Sequence, residues 1–501
     1  MTLSRSEEIE HFSVAIRQCS KYRERRSEIA RNMDAGAVFS VLEAACYAQQ
    51  STAQQAAMMS LQDFESVDGF ATSLIQIIDS DQVPDSKSDC RLLAVITLKN
   101  VVSRCWKSRG STVHLLNNHE KSYLKEFTVK RAICKEKDTR VLTQLSVLMA
   151  QVAKVEWPAD WPQLLPSLFD DLKTGDIEPT FSSSSKNDAM VLFYSVTVEL
   201  ASKTTPNAKN EFKVSALFMF PYFAKTLEAL SLNLMALLPE CCNWDQNLQS
   251  ESLSKANILA EQLSIVTNIL DIFVSKVFTT ISNTPDFASF FIFLLDQQTK
   301  FLCYLQCQSL ETIEHFTACS DRYNLSLINS NSTGNEGWDI DKMINNIQKN
   351  GSGENRDASV LILLLRVSNI TNKISSIPVL LQKEHPLEMV PYLEPFLELF
   401  YKEVNDTFQI NSNINNNTNI NNNSNNNNSS GRTGTLYKNI LLLTRSSCIS
   451  AILFISNIIS CKVYSTKTNS IAKMKEKLNF QFKLPTGSPG NIDAKSLQVF
   501  H

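Results

Sequence analysis

TRVLTQLSVLMAQVAKVEWPADWPQLLPSLFDDL, residues 139–172, decides how the rest of the chain is read. Val141, Leu142, Leu145, Leu148, Met149, Val152 and Ala153 recur at helical spacing and predict one long helix with a wide apolar stripe. Pro158 ends that helix at Trp157, because proline brings no backbone donor and pushes its predecessor towards extended geometry. Trp161-Pro162 repeats the device. Asp160 or Trp161 is expected to cap a second helix with Pro162 in its first turn. Pro166, further along, is expected to kink that helix. Two indoles at one helix–helix corner predict a joint packed between layers.

The same grammar runs through most of the sequence. AVFSVLEAACYA, QQAAMMSLQDFES and GFATSLIQIID follow one another from about residue 36. A polar loop, SDQVPDSKS, then leads into CRLLAVITLKNVVSRCW. YLKEFTVKRAICK precedes the 139–156 helix, and WPQLLPSLFDDLK pairs with NDAMVLFYSVTVELASK. Each pair fills roughly 35–45 residues, the period of HEAT-type repeats, and must stack on its neighbours to bury its apolar faces. The fold class is therefore all-α. Further helices are expected at 208–238, 251–282, 285–310, 358–375 and 386–404.

Five segments follow: a charged helical lead-in at 1–35, N-terminal repeats at 36–175, and further repeats at 176–404 with a Ser/Asn/Gly-rich loop at 327–357. An asparagine-rich insertion then occupies 405–435, and a last helical segment with a polar tail occupies 436–501. The Asn tract offers almost no apolar surface and is expected to be disordered. The mixed charge of the lead-in reads as a solvated helix face. The tail SLQVFH carries no polar capping helix, so the chain is expected to be cut short.

The composition narrows the function. Hydrophobic residues make up 43 % and charged residues 20 %, as in a folded soluble protein. A net charge of −3 disfavours a chain built to bind nucleic acid directly. The twelve cysteines sit mostly in apolar helical runs and the start has no apolar signal segment, which points to reduced thiols in cytosol or nucleus. ASVLILLL before Arg366, FASFFIFLL before Asp296 and the 440–459 run are each shorter than the roughly 20 apolar residues of a membrane span, so no membrane insertion is expected.

The sequence holds no GxGxxG, GxxxxGK, GxSxG or HExxH, and no acid–base pairing of its six histidines, so neither an enzyme nor a cofactor is expected. Cys303, Cys307, His315 and Cys319 repeat an i,i+4 spacing, but FLCYLQC reads more simply as a buried helix than as a metal site.

The run Arg91–Asn100, RLLAVITLKN, closing on Cys105-Trp106, resembles the N-terminal signature of the importin-β (karyopherin) family. LEAA at 42–45 and LQDFESVDGF at 61–70 have counterparts in the family's preceding helices. The double Trp-Pro turn with Leu164 and Pro166 looks like its next shared element. LFYSVTVELASK, 192–203, is similar to the importin-eleven branch. The resemblance implies a right-handed α-solenoid with the structural signature Leu98, Trp106, Trp157, Pro158, Trp161, Pro162 and Pro166.

At 100° per residue, Ala94, Val95, Leu98, Val101, Val102, Cys105 and Trp106 cover one side of the signature helix. Thr97, Asn100 and Arg104 share a narrow strip opposite with Leu93, and Lys99 and Ser103 sit at the border. In the family, inner helices of the first repeats dock Ran in its GTP state. The resemblance carries that role onto Lys99, Asn100, Arg104 and Lys107. A second reading stands beside it, in which Lys99 snorkels at the core edge and Arg104 makes an intramolecular salt bridge.

The implied function is a nuclear transport receptor, an importin that shuttles between nucleus and cytoplasm through the pores of the nuclear envelope. Its implied partners are Ran-GTP, phenylalanine-glycine nucleoporins and protein cargo. An exportin of the same family and a generic HEAT-repeat scaffold are the alternatives.

Overall fold

The computed structural model of the chain describes residues 34–80, 87–107, 114–134, 138–174, 184–241, 250–306, 340–350, 356–387, 389–393, 395–405 and 447–457. Every regular element among them is helical. The N-terminal helices are α1 (Ala35–Tyr47), α2 (Ser51–Phe64), α3 (Phe70–Asp79), α4 (Ser88–Cys105), α5 (Asn118–Cys134), α6 (Thr139–Glu156), α7 (Leu164–Thr174) and α8 (Ser184–Ala201). They are followed by α9 (Pro206–Cys241), α10 (Ser250–Ile281), α11 (Pro285–Gln306), α12 (Ile340–Asn350) and α13 (Arg356–Glu384). A short 3-10 turn at Val390–Tyr392 precedes α14 (395–405) and α15 (Ser447–Asn457). The chain divides into two compact units, one reaching Thr226 and including Asn268–Val277, the other comprising Leu227–Thr267 and the chain from Phe278 onward.

In the first unit, α3/α4, α5/α6 and α7/α8 are helical pairs. α4 packs on α6 and α6 on α8, so the second helices form one row, while α3 packs on α5 in another. α1 rests on α2, α3 and α4. Local chemistry sets the helix starts. Asp34 accepts from Gly36 N at 3.2 Å and caps α1, and Asp138 accepts from Arg140 N at 2.9 Å and caps α6.

Asn117 and Glu120 form a reciprocal capping box at α5. Asn117 Oδ1 accepts from Glu120 N at 2.9 Å, and Glu120 Oε2 accepts from Asn117 N at 3.2 Å. The other oxygen of the buried Glu120 accepts from Gly69 N at 3.0 Å. Gly69 stands at φ 87°, a left-handed conformation that only glycine adopts without strain, so this contact fixes the start of α3. The core of this unit is aromatic around α7–α9: Phe169 meets Tyr222 at 5.1 Å, Phe193 meets Phe223 at 5.2 Å and Phe223 meets Phe273 at 5.9 Å between ring centroids.

The second unit packs α13 against α11 and α12. Its core is a run of rings: Phe287 to Phe291 at 5.3 Å, Phe291 to Phe396 at 4.8 Å and Phe400 to Phe454 at 4.9 Å. Arg366 of α13 donates to Asn257 O at 2.8 Å and pairs with Glu261 at 3.0 Å. Lys373 donates to Ser264 Oγ at 3.2 Å. Glu251–Ile281 and Ala358–Glu384 are long and apolar enough to cross a membrane by length and composition, and both are longer than the apolar runs singled out in the sequence. In the fold 61 % and 67 % of their apolar windows are buried.

Several sequence expectations are corrected. α7 starts at Leu164, two residues after Pro162, so Pro162 belongs to the preceding turn and is exposed. Pro166 falls in the first turn of α7, where helical N–H groups have no partner to lose, so it has no cause to kink the helix. Trp157 is buried as expected, but Trp161 is only half-buried.

Residues 340–350, placed in the 327–357 loop, form α12, because Ile340, Met343, Ile344 and Ile347 share a helix face and bury Ile344 and Ile347. The helix expected at 386–404 is split into the 3-10 turn and α14. Cys303 is exposed on α11, not in the core, while Cys307, His315 and Cys319 lie outside the described residues. Among the described residues no group of side chains suits a metal ion. The lead-in 1–33 and the Asn-rich insertion 406–435 lie outside them too.

Candidate functional site: the exposed edge of the signature helix

α4 is buried on the side the sequence assigned to the core: Ala94, Val95, Leu98, Val101, Val102, Cys105 and Trp106 are all inside. Its exposed edge carries Asn100, Ser103 and Arg104, and Lys107 follows just beyond the helix. Thr97 does not share that edge. It is buried, and its hydroxyl donates to Leu93 O at 2.8 Å, the back-bond that lets a threonine enter an apolar helix face.

The four candidate residues lie on one stretch of α4 and its end, and three of them are held from within the chain. Lys99 is half-buried and donates to Gln144 Oε1 of α6 at 2.6 Å. Arg104 forms an ion pair with Glu65, just after α2. Burial pushes the Glu65 carboxyl up, against the pull of Arg104 beside it. Lys107 Nζ donates to Val155 O at 3.3 Å. Asn100 is exposed. The intramolecular salt bridge considered for Arg104 is thus present, and Lys99 ties α4 to α6.

Residues outside the sequence-based set complete the arrangement. Trp106 Nε1 donates to Glu156 Oε1 at 2.8 Å, and Lys125 Nζ pairs with Glu156 Oε2 at 2.7 Å. Burial pushes the Glu156 carboxyl up, but the hydrogen bonds from Lys125 and Trp106 outweigh it and hold it below the ordinary carboxylate range. Lys125 also stands 5.6 Å over the Trp161 ring. Lys203, just past α8, hydrogen-bonds to Trp157 O and lies 5.8 Å from the Trp157 ring centroid.

The far end of the same row is stitched too, where Arg140 pairs with Asp89 at 3.1 Å and Asp138 at 2.8 Å. Lys154 pairs with Glu199 at 2.9 Å between α6 and α8. Trp106 and Glu156 each close a helix, so their pairing depends on the register between α4 and α6. One signal was present in the sequence: a carboxylate immediately before the Trp-Pro turn.

A row of paired helices with one polar edge is a HEAT-type repeat surface. Residues 57–131 match the family model described as the importin-beta N-terminal domain, which takes in α4 and its neighbours. Importin-11 of Mus musculus is 31 % identical over 159 residues, covering 31 % of this chain and 15 % of that protein. Importin-11 of Homo sapiens is 30 % identical over 159 residues with the same coverage. The match thus spans 15 % of the relatives' length.

Among solved structures, the exportin Cse1 in its cargo-free, cytoplasmic state superposes with a TM-score of 0.51 at 15 % identity, over 93 % of this chain and 39 % of that one. This likeness shows the fold alone. The N-terminal match makes residues 57–131 similar to the importin-beta N-terminal domain, and over 159 residues the chain is similar to Importin-11.

Proposed function

We propose that the chain is a nuclear transport receptor whose N-terminal repeats bind Ran-GTP. The observation that carries this reading is the exposed edge of α4, where Asn100, Ser103, Arg104 and Lys107 emerge from a helix otherwise buried in the importin-β N-terminal domain. Lys99, Asn100, Arg104 and Lys107 form the contact. The ties from Lys99 to Gln144, Arg104 to Glu65 and Lys107 to Val155 O hold their long side chains in place, which lowers the entropy lost on docking.

The receptor carries protein cargo, contacts phenylalanine-glycine nucleoporins and shuttles between cytoplasm and nucleus through the nuclear pore. Likeness to Importin-11 favours import. Coupling is by linkage: Ran-GTP and import cargo favour different states or overlapping surfaces, so each weakens the other's binding. The test is a pulldown of the chain with GTP-locked and GDP-locked Ran. Retention on the GTP form alone is expected, and equal or absent binding to both would sink the reading.

A further inference from the structure

Cys46 near the end of α1 and Cys90 in the first turn of α4 set two thiols against each other across a helix–helix contact. α1 packs on α4, and the Cys90 thiol donates a hydrogen bond to the Cys46 sulfur. Three residues earlier on each helix, Lys87 pairs with Glu43, and its Nζ stands 5.8 Å from the Phe39 ring centroid. Glu43 and Cys46 share one face of α1, as Lys87 and Cys90 share one side of the start of α4. One contact thus holds both pairs in register.

The two sulfurs, neither of them in a disulfide, have unlike surroundings. Cys90 is fully enclosed, whereas Cys46 is half-buried and open to small reagents. Burial pushes the Cys46 thiol up, the hydrogen bond from Cys90 draws it back, and Asp89 adds to the rise. Burial and the neighbouring Cys46 push the Cys90 thiol up to about 12, with Glu43 adding to the rise and Lys87 opposing it. The Tyr47 hydroxyl donates to Cys90 as well. The pair is therefore ordered: Cys46 is the accessible and more readily ionised sulfur, and Cys90 is the protonated partner behind it.

We propose that Cys46 and Cys90 form a reversible disulfide that staples α1 to α4 when the chain meets hydrogen peroxide. The Cys46 thiolate attacks one peroxide oxygen, so an S–O bond forms and the O–O bond breaks. The departing hydroxide takes up the proton that the thiol released and leaves as water. The Cys90 sulfur then attacks the Cys46 sulfenic acid, an S–S bond forms, and the hydroxyl leaves with the Cys90 proton as a second water. Two thiols have given up two electrons and one peroxide has gained them. Thiolate is scarce at neutral pH for both groups, so the bond forms slowly and its rate climbs with pH.

The experiment treats the full chain with hydrogen peroxide at pH 7 and pH 9 until the exposed Cys303 is oxidised, then alkylates the unfolded chain for peptide mass spectrometry. A peptide pair linked through Cys46 and Cys90 is expected, formed about tenfold or more faster at pH 9 and cleaved by dithiothreitol. Amide exchange in α1 should slow about tenfold or more in the linked form, because the link removes freedom from the opened state. Cys90→Ser should leave Cys46 as a sulfenic acid that dimedone traps. Cys46→Ser, at the half-buried position, should leave Cys90 a free thiol and serves as the second variant if Cys90→Ser unfolds.

Recovery of both cysteines as free thiols once Cys303 is oxidised, or linkage of Cys46 to a different cysteine, overturns the proposal. A Cys46–Cys90 link that leaves exchange in α1 unchanged overturns the staple.

Discussion

Trp157 and Trp161 are four residues apart in one turn, yet they do different work. Trp157 is buried at the end of α6, with Lys203 bonded to its carbonyl. Trp161 is half-buried with Lys125 over its ring. Trp157→Ala should therefore cost about 3–5 kcal/mol, the range for truncating a fully buried aromatic. Trp161→Ala should cost about 1–2 kcal/mol, in proportion to its smaller buried apolar area. Urea titrations of both variants compare the two, and equal losses would contradict this division.

Glu156 gives a pH signature. Its folded-state carboxyl lies below the ordinary value of 4.5, so the stability it contributes is present above that pH and lost as pH falls through the lowered value. Glu156→Gln should flatten the acid side of the stability profile, and an unchanged profile would remove the carboxylate from the joint. The sequence marked this corner, because proline and tryptophan carry their constraints locally. It left Glu156, Lys125 and Lys203 unmarked, because their roles arise from helices that meet only in the fold.

At the scale of the elements, apolar periodicity was enough to locate α4 and α6 and to assign the buried side of α4 correctly. It failed where a polar residue satisfies itself within its own helix, as Thr97 does on Leu93 O, and so enters the core. At α12 the period was present but overlooked: Ile340, Met343, Ile344 and Ile347 stand at i, i+3, i+4 and i+7 within an otherwise polar stretch, and they pack on α13.

The second unit holds a buried carboxylate that periodicity does not foresee. Glu403 of α14 faces Gln298 of α11 and Ser447 of α15, and Ser447 Oγ lies 2.7 Å from Ser375 Oγ of α13. Burial pushes the Glu403 carboxyl up to about 7, while the hydrogen bonds from Ser447 and Gln298 oppose the rise. The folded chain then keeps a proton that the unfolded chain releases near 4.5. Stability from this group is complete below that pH and is lost as pH rises through about 7, by about 3 kcal/mol. Glu403→Gln should abolish that loss and stabilise the chain at pH 8, as read from denaturant midpoints across pH. A variant with the wild-type slope would show that Glu403 is ionised in the folded chain.

For the whole molecule, the repeat period made the helical-repeat fold legible in advance, because each repeat must solve the same burial problem, and the Leu-Lys-Asn…Trp signature pointed to the domain that residues 57–131 match. The docking edge was only partly legible. Helical geometry placed Asn100 and Arg104 on it, whereas the anchoring of Lys99 on Gln144 and Arg104 on Glu65 required the neighbouring helices. The central claim is that this edge recognises the GTP state of Ran. Titrating the chain with Ran in its two nucleotide states, and repeating the titration with Asn100→Ala/Arg104→Ala, tests it most directly. The account predicts tight binding to Ran-GTP, little to Ran-GDP, and a weakening of about tenfold or more in the variant. Indifference of the chain to the nucleotide, or of the affinity to the two substitutions, would contradict it.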